Sequence, residues 1–169
     1  MASVVPPFGG NTPRVNLSPM AMPPAYGYRV IPGATWWGTL YLLWRKYRAD
    51  FMGATPATPP PLARPGQGVY FTDQDSLQGL RSPGEFAARL GLRHRTQSEC
   101  QFYGLVVIEF EILSSMHIVL PPPASNCRQG LTPGNAREWK TTADVLLDES
   151  MRVTYIDPMP PSRYFTVPL

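Results

Sequence analysis

The chain contains few of the residues that build metal sites or disulfide frameworks. Its 169 residues include only two cysteines and two histidines. Because Cys100 and Cys127 lack Cys-x-x-Cys spacing and histidine is so scarce, we expect no zinc site and no bound metal. Two isolated thiols are typical of a reducing compartment, although one disulfide between them is an open alternative.

Charged residues and long apolar runs are also sparse. Charged residues make up 16% of the chain and the net charge is +3. Arg45-Lys46, followed by Arg48, is the densest basic segment, which is too little for a nucleic-acid-binding stripe. The apolar stretch around 36–44 is too short to cross a bilayer, so we expect no membrane contact. Residues 1–10 lack a basic segment followed by an apolar one, which predicts no secretory signal and favours the cytoplasm.

Several familiar catalytic motifs are missing from the sequence. No G-x-G-x-x-G or P-loop pattern occurs, so phosphate binding of those two types is not predicted. No serine lies in a nucleophile-elbow motif, which argues against Ser-His-Asp hydrolysis. We interpret His117 as a half-buried structural histidine and not as a catalytic base.

Proline is abundant and organises the chain. The 21 prolines cluster at 6–7, 23–24, 59–61, 121–123 and 158–161. Proline interrupts helices and sheet ladders, so these clusters mark boundaries and rigid loops. With 43% hydrophobic residues, the length suits one domain with a core. We therefore predict a flexible proline-rich leader over 1–25 and a single folded domain over 26–169.

Side-chain periodicity in the first half predicts two strands and two helices. The strands are Tyr26–Ile31 and Gly68–Thr72. An amphipathic helix is predicted over Thr35–Phe51, with Thr35 as its N-cap and one buried stripe: Trp36, Leu40, Leu43, Trp44 and Tyr47. A second helix begins at Ser82, where a serine N-cap, a proline and Glu85 form a capping-box pattern, and extends to Leu90 or Leu92.

The second half is predicted to consist mostly of strands. The expected elements are a strand at Gln101–Leu113, a segment at Met116–Leu120 that pairs with it or extends it, a helical turn at Ala136–Lys140, and strands at Asp144–Leu147, Arg152–Ile156 and Tyr164–Val167. This order of elements is typical of the α+β class and differs from the alternating order of a doubly wound sheet.

Two segments in the first half carry candidate binding residues. Arg29 lies in an otherwise apolar strand beside a Pro-Gly turn, where its forked donors can hold phosphate oxygens. The commoner alternative is a strand-edge arginine that faces solvent. Tyr70 and Phe71 follow Gly68 and point to opposite faces of their strand. One ring can stack on a planar ligand while the other enters the core, or both can be core residues.

Asp144 is the candidate acid in the second half. It lies directly before Val145-Leu146-Leu147, where a carboxylate at the lip of a buried strand can hydrogen-bond a sugar hydroxyl and stabilise a developing positive charge. A structural acid in a strand cap or turn is the alternative for Asp144.

Taken in chain order, three segments resemble an ADP-ribosyltransferase domain, the fold shared by bacterial toxins and poly-ADP-ribose polymerases. The segments are Tyr28-Arg29, Gly68-Val69-Tyr70-Phe71-Thr72, and Thr142-Ala143-Asp144-Val145-Leu146-Leu147. The resemblance implies a split, two-sheet antiparallel β core with one or two flanking helices. The sequence departs from the family pattern at Asp144, where a glutamate is usual, and at Thr142, where a partner acid is usual.

The resemblance also implies NAD as the substrate and a role for each matching residue. Arg29 holds the pyrophosphate or a ribose, and Gly33 lies in the turn that corresponds to the His-Gly of the polymerase branch. Tyr70 or Phe71 stacks on nicotinamide, with Thr72 hydrogen-bonding nearby. Asp144 holds the ribose and stabilises its cationic transition state, which requires Arg29 and Asp144 to face each other across one cleft.

The function implied is ADP-ribosyl transfer, a glycosyl transfer from NAD to a macromolecular acceptor such as a protein, or hydrolysis of NAD. The alternative is a catalytically inactive binding module with the same fold. A third possibility, a structural domain of a larger assembly, is supported by the proline-rich leader and the four tryptophans.

Overall fold

Two antiparallel sheets form the centre of the fold. The structure is a computed structural model that describes residues 17–53 and 57–169, with the backbone alone at Phe51 and Met52. The strands are β1 (Tyr26–Pro32), β2 (Tyr70–Phe71), β3 (Leu105–Glu111), β4 (Ile118–Val119), β5 (Trp139–Thr141), β6 (Arg152–Ile156) and β7 (Tyr164–Val167). The four-stranded sheet has the order β1-β3-β6-β7 and the three-stranded sheet the order β2-β5-β4. The predicted α+β class with two antiparallel sheets is confirmed.

The helices are more numerous than the one or two that the sequence predicted. They are α1 (Gly33–Thr35), a π-helical segment (Trp36–Leu40), α2 (Tyr41–Met52), α3 (Gln74–Leu77), α4 (Pro83–Arg89) and α5 (His94–Tyr103). Within the described part of the chain, no helix is long and apolar enough to cross a bilayer. Of the predicted leader, residues 1–16 lie outside the described residues, and residues 17–25 contain neither helix nor strand.

The two sheets meet along β1. The backbone N–H of Tyr28 donates to the carbonyl of Thr72 at 2.9 Å, and the N–H of Thr72 donates back to Tyr28 at 3.0 Å. This reciprocal pair is an isolated antiparallel bridge just past the end of β2. The short sheet is therefore anchored to the edge of the long one, with Arg29 and Tyr70 close to the junction.

The first long helix covers one face of the core. Trp36, Leu40 and Trp44 are buried within the larger apolar cluster. Leu43, predicted to belong to the same stripe, is 48% exposed, and that prediction is wrong. The π-helical segment widens the preceding turn, so the buried side chains are spaced by four and Leu43 turns toward solvent. Thr35 is not an N-cap, because the helix already begins at Gly33, after Pro32.

The predicted start of the second helix is confirmed. The hydroxyl of Ser82 accepts a hydrogen bond from the Glu85 N–H at 3.3 Å, as an N-cap does. The Glu85 carboxylate accepts from the Arg81 N–H at 2.7 Å, one residue earlier than in a standard capping box.

Four predictions for the second half require correction. The strand predicted from Gln101 begins at Leu105, because α5 continues to Tyr103 and the chain turns at Gly104 with a φ of +76°. The sequence did not predict helix α5, because only Cys100 among its ten residues is buried and the helix has no apolar stripe. Strand β4 pairs with β5 and neither pairs with nor extends β3.

The other two errors surround the candidate acid. The predicted helical turn at Ala136–Lys140 contains the start of β5 instead. The predicted strand Asp144–Leu147 forms a loop with one isolated bridge, from Leu146 to Pro61. The strands predicted at Arg152–Ile156 and Tyr164–Val167 are confirmed.

Candidate active site

A narrow pocket lies where the two sheets meet. Its polar lining comes from β1, from the β2 region and from the turn that precedes β5, and includes Arg29, Tyr70, Thr72, Arg137 and Glu138. Leu90 and Leu92 close its apolar side. The free volume is about 50 Å³, so the side chains that line the pocket lie close to one another.

Arg29 brings a half-buried cation to this pocket. One terminal nitrogen, Nη1, donates to the backbone carbonyl of Tyr70 at 3.2 Å. Its Nε is shielded from solvent and has no hydrogen-bond partner among the described residues. Burial lowers the pKa of the guanidinium, and the negative charge of Glu138 opposes that shift. A buried donor without an acceptor is costly, so Nε is suited to a ligand oxygen.

Thr72 supplies a second unsatisfied polar atom. The residue is 1% exposed, and its hydroxyl oxygen Oγ1 finds no hydrogen-bond partner within the described part of the chain. The reciprocal hydrogen bonds with Tyr28 hold the backbone of Thr72 at the edge of the pocket. Two orphaned polar atoms in one pocket indicate a place for a ligand that is rich in oxygen.

Glu138 is the acid of the pocket. It directly precedes β5 and is half-buried. Burial raises the pKa of its carboxyl group, and the positive charge of Arg29 partly offsets that rise. Over residues 17–53 and 57–169, no ion pair within 4.0 Å joins Arg29 and Glu138. The two opposite charges line one pocket without contact, so a ligand group can lie between them.

The residue before Glu138 is held firmly in place. The Arg137 guanidinium donates to the Asp73 carboxylate at 2.7 Å, and both side chains are largely buried. The backbone N–H of Arg137 donates to the hydroxyl of Ser76 at 2.8 Å. Asp73 also caps α3 by accepting from the Ser76 N–H at 2.9 Å. These contacts join the turn before β5 to the start of α3 and fix the position of Glu138.

Tyr70 lines the pocket, and Lys140 lies beside it. They are paired across β2 and β5, and the Lys140 ammonium lies 4.9 Å from the centroid of the Tyr70 ring. The Tyr70 side chain is 41% exposed. An exposed aromatic face beside a pocket is suited to stacking on a planar ligand.

Four of the site residues predicted from the sequence come together here: Arg29, Tyr70, Phe71 and Thr72. The two rings differ, because Phe71 is buried and stacks on Trp139 at 5.8 Å between centroids. Tyr70 is therefore the ring available to a ligand, and Phe71 is a core residue.

Gly33 does not line this pocket. Its N–H donates to the carbonyl of Gly104 at 2.9 Å, and a Cβ at this position would lie 2.4 Å from the carbonyl oxygen of Tyr103. The role of Gly33 is to let the first helix approach the end of α5. His117 is exposed, not half-buried as predicted.

Asp144 lies away from Arg29. Both of its carboxylate oxygens accept from the Gly66 N–H, at 3.0 and 3.1 Å, in an exposed loop. It lines two other grooves and not the pocket of Arg29, so the prediction that Arg29 and Asp144 face each other across one cleft is wrong. The cause is the pairing of its loop with residues 60–62: Leu62 donates to Val145, and Leu147 donates to Pro60.

Sequence reasoning missed Glu138 because the segment around it was taken as a helical turn. The alternation of Glu138 and Lys140 with Trp139 and Thr141 fits a strand, but it is too short to exclude a helical turn. Glu138 is an acid at the start of a strand, which is the placement that the sequence had suggested for Asp144.

No protein-family model, curated protein or solved structure matches the chain. Among the described residues, no group of three or more histidine, cysteine or acidic side chains is arranged to hold a metal ion.

Proposed function

We propose that the protein cleaves the bond between nicotinamide and ribose in NAD and passes ADP-ribose to an acceptor, by transfer or by hydrolysis. We further propose that Glu138, and not Asp144, is the acid of this reaction. The observation that carries the proposal is one pocket lined by a half-buried carboxylate and by two residues with an unpartnered polar atom each, Arg29 Nε and Thr72 Oγ1.

Glu138 provides the charge that this reaction needs. As the bond from ribose C1′ to the nicotinamide nitrogen lengthens, nicotinamide leaves with the electron pair and positive charge develops on the sugar. A carboxylate held in a partly desolvated site stabilises that charge more strongly than it would in water. The same carboxylate can accept a hydrogen bond from a ribose hydroxyl in the ground state.

The other polar groups suit the rest of the substrate. The Nε of Arg29 is suited to a phosphate or ribose oxygen, because a charge-assisted hydrogen bond to oxygen would remove the cost of burying this donor. The Thr72 hydroxyl can bond to a neighbouring oxygen or to the carboxamide. The exposed ring of Tyr70 can stack on nicotinamide at the mouth of the pocket.

The small volume of the pocket favours a second candidate, a catalytically inactive binding module. A free volume of about 50 Å³ is far below the roughly 300–1,000 Å³ of typical ligand pockets. Binding of NAD therefore requires the rim side chains to move apart. A protein that never opens in this way keeps the fold without the activity.

Two matched variants test the assignment of the acid. Glu138→Gln should lower the rate of nicotinamide release by about 10²–10³-fold, while the Kd for NAD measured by calorimetry changes little, because the carboxylate acts mainly in the transition state. Asp144→Asn is the matched control and should retain wild-type turnover. Arg29→Ala should instead raise the Kd, because its contact is made in both states.

The outcomes separate the alternatives. Loss of turnover in Asp144→Asn with full activity in Glu138→Gln would return the role to Asp144. Absence of NAD binding by the wild-type protein would reject the enzyme and favour the binding module.

A further inference from the structure

Cationic side chains accompany Glu138 both in the pocket and in the strand that follows it. Arg29 and Arg137 line the pocket with it, and Lys140 follows it two residues along the same face of β5. We infer that the acceptor of ADP-ribose is water and that Lys140 excludes guanidinium and ammonium acceptors. This inference rests on the proposed function.

The register of the short sheet places Lys140 directly opposite Tyr70, which lines the pocket. Strand alternation puts Glu138 and Lys140 on one face, while Trp139 and Thr141 are buried on the other. The Lys140 ammonium lies over the ring of Tyr70 at 4.9 Å, and Tyr70 lines the pocket. A group that enters beside Tyr70 therefore passes close to the charge of Lys140.

A cationic acceptor meets repulsion and finds no base of its own. Among the described residues that line the pocket, Glu138 is the one acid, and Arg29 and Arg137 line the pocket with it. The neighbouring acid, Asp73, is already paired with Arg137 at 2.7 Å. With Glu138 engaged by the ribose, no second carboxylate of the pocket can orient or deprotonate an arginine side chain. The positive charge of Lys140, beside Tyr70, repels such acceptors and so selects against them.

Water meets neither obstacle. Its oxygen forms a bond to ribose C1′ as the bond to nicotinamide breaks, and the electron pair of that bond leaves with nicotinamide. Attack of water on the cationic sugar needs no base, and the proton of the water passes to solvent once the bond to C1′ has formed. The products are ADP-ribose, nicotinamide and one proton, with no change of oxidation state.

The test uses the full chain with NAD in the presence and absence of agmatine, a small guanidinium acceptor, and separates ADP-ribose from ADP-ribosylagmatine by chromatography. The wild-type protein should form ADP-ribose whether or not agmatine is present. Lys140→Glu should raise the agmatine product relative to ADP-ribose by about tenfold or more, because repulsion becomes attraction. Lys140→Arg, which keeps the charge, should retain the wild-type ratio.

Two results would overturn the inference while leaving the proposed function intact. One is wild-type protein that labels agmatine as readily as it hydrolyses NAD. The other is a Lys140→Glu protein that still consumes NAD with an unchanged product ratio. Wild-type protein that consumes no NAD under any condition would instead overturn the proposed function and this inference with it.

Discussion

Glu138 occupies an environment that works against its own ionisation. Burial is the larger influence on its pKa, and attraction to Arg29 restores only part of the loss. Carboxyl groups with a pKa shifted in this way are typical of functional sites, where the carboxylate stabilises positive charge that develops only during the reaction. The stability of the fold should therefore depend on the protonation of this one side chain.

Glu138→Gln should become more stable relative to wild type as the pH rises. The ordinary pKa is 4.5 and the folded pKa lies above it. The stability contributed by the protonated form is present below 4.5 and is lost as the pH rises through the folded pKa. Glutamine resembles the protonated acid at every pH. The free energy of unfolding of Glu138→Gln should therefore rise relative to wild type as the pH increases from 4.5 through the folded pKa, and urea unfolding curves measure this difference.

Asp148→Asn provides a control of opposite sign. Hydrogen bonds from Ser150 lower the pKa of Asp148 below its ordinary 3.8. The stability that ionised Asp148 contributes is present above pH 3.8 and is lost as the pH falls through the folded pKa. The asparagine variant should therefore be less stable than wild type near neutral pH. Parallel pH profiles for wild type and Glu138→Gln would show that Glu138 is not held against its ionisation.

At the scale of single elements, the first helix shows how a local irregularity redirects a sequence pattern. The apolar side chains of 36–47 are spaced as one stripe on a regular α-helix. The π-helical turn at Trp36–Leu40 rotates the rest of the helix, so that Trp44 enters the core and Leu43 faces solvent. Two adjacent apolar residues therefore differ in their contribution to stability.

Trp44→Ala should lower the free energy of unfolding by about 3–5 kcal/mol, because the side chain is 3% exposed and packed within the core. Leu43→Ala should change it by no more than about 0.5 kcal/mol, as is usual for exposed positions. Urea denaturation followed by circular dichroism measures both. Equal losses for the two variants would mean that the stripe is buried as one continuous face.

Strand β5 is a second element that its local sequence does not determine. Three residues are too few for periodicity to separate a strand from a helical turn, and Ala136–Lys140 suits either. Pairing with β2 and β4 selects the strand. That selection brings Glu138, and not Asp144, to the pocket of Arg29.

Over the whole molecule, the pocket depends on the contact between the two sheets. The short sheet is held by the bridge between Tyr28 and Thr72 and by the segment that leads into β2. In that segment the Val69 N–H donates to the hydroxyl of Thr141 at 2.8 Å, and the Thr141 N–H donates back to the carbonyl of Val69 at 3.0 Å. Gly68 adjoins these bonds with a φ of +68°.

Gly68→Ala should destabilise the fold and impair the site together. A Cβ at this position would lie 2.0 Å from the backbone oxygen of Thr141. The left-handed backbone alone costs alanine about 1–2 kcal/mol, and the clash adds to that loss. Thermal unfolding measures the effect on stability, and calorimetry measures NAD affinity.

Gly38→Ala is the matched control, because no atom lies within 4 Å of a Cβ built at this helical position. Alanine there should stabilise the protein by about 0.5–1 kcal/mol. A Gly68→Ala protein as stable as Gly38→Ala would refute the tight approach of the two strands.

Local sequence was sufficient to predict the α+β class, the strands near Tyr26, Arg152 and Tyr164, and the serine cap at Ser82. Each of these depends on side chains that are neighbours along the chain, where periodicity and capping act directly. Local sequence was also sufficient to propose Arg29 as a binding residue, because a cation in an apolar strand stands out.

The acid that faces Arg29 was decided by tertiary structure alone. Glu138 and Asp144 are both acids beside apolar residues, and nothing within their own segments distinguishes them. Pairing of β5 with β2 and the bridge from Thr72 to Tyr28 bring Glu138 to the pocket, whereas pairing of its loop with residues 60–62 takes Asp144 away. These are hydrogen bonds between segments far apart in the chain, and the choice between two similar acids depends on them.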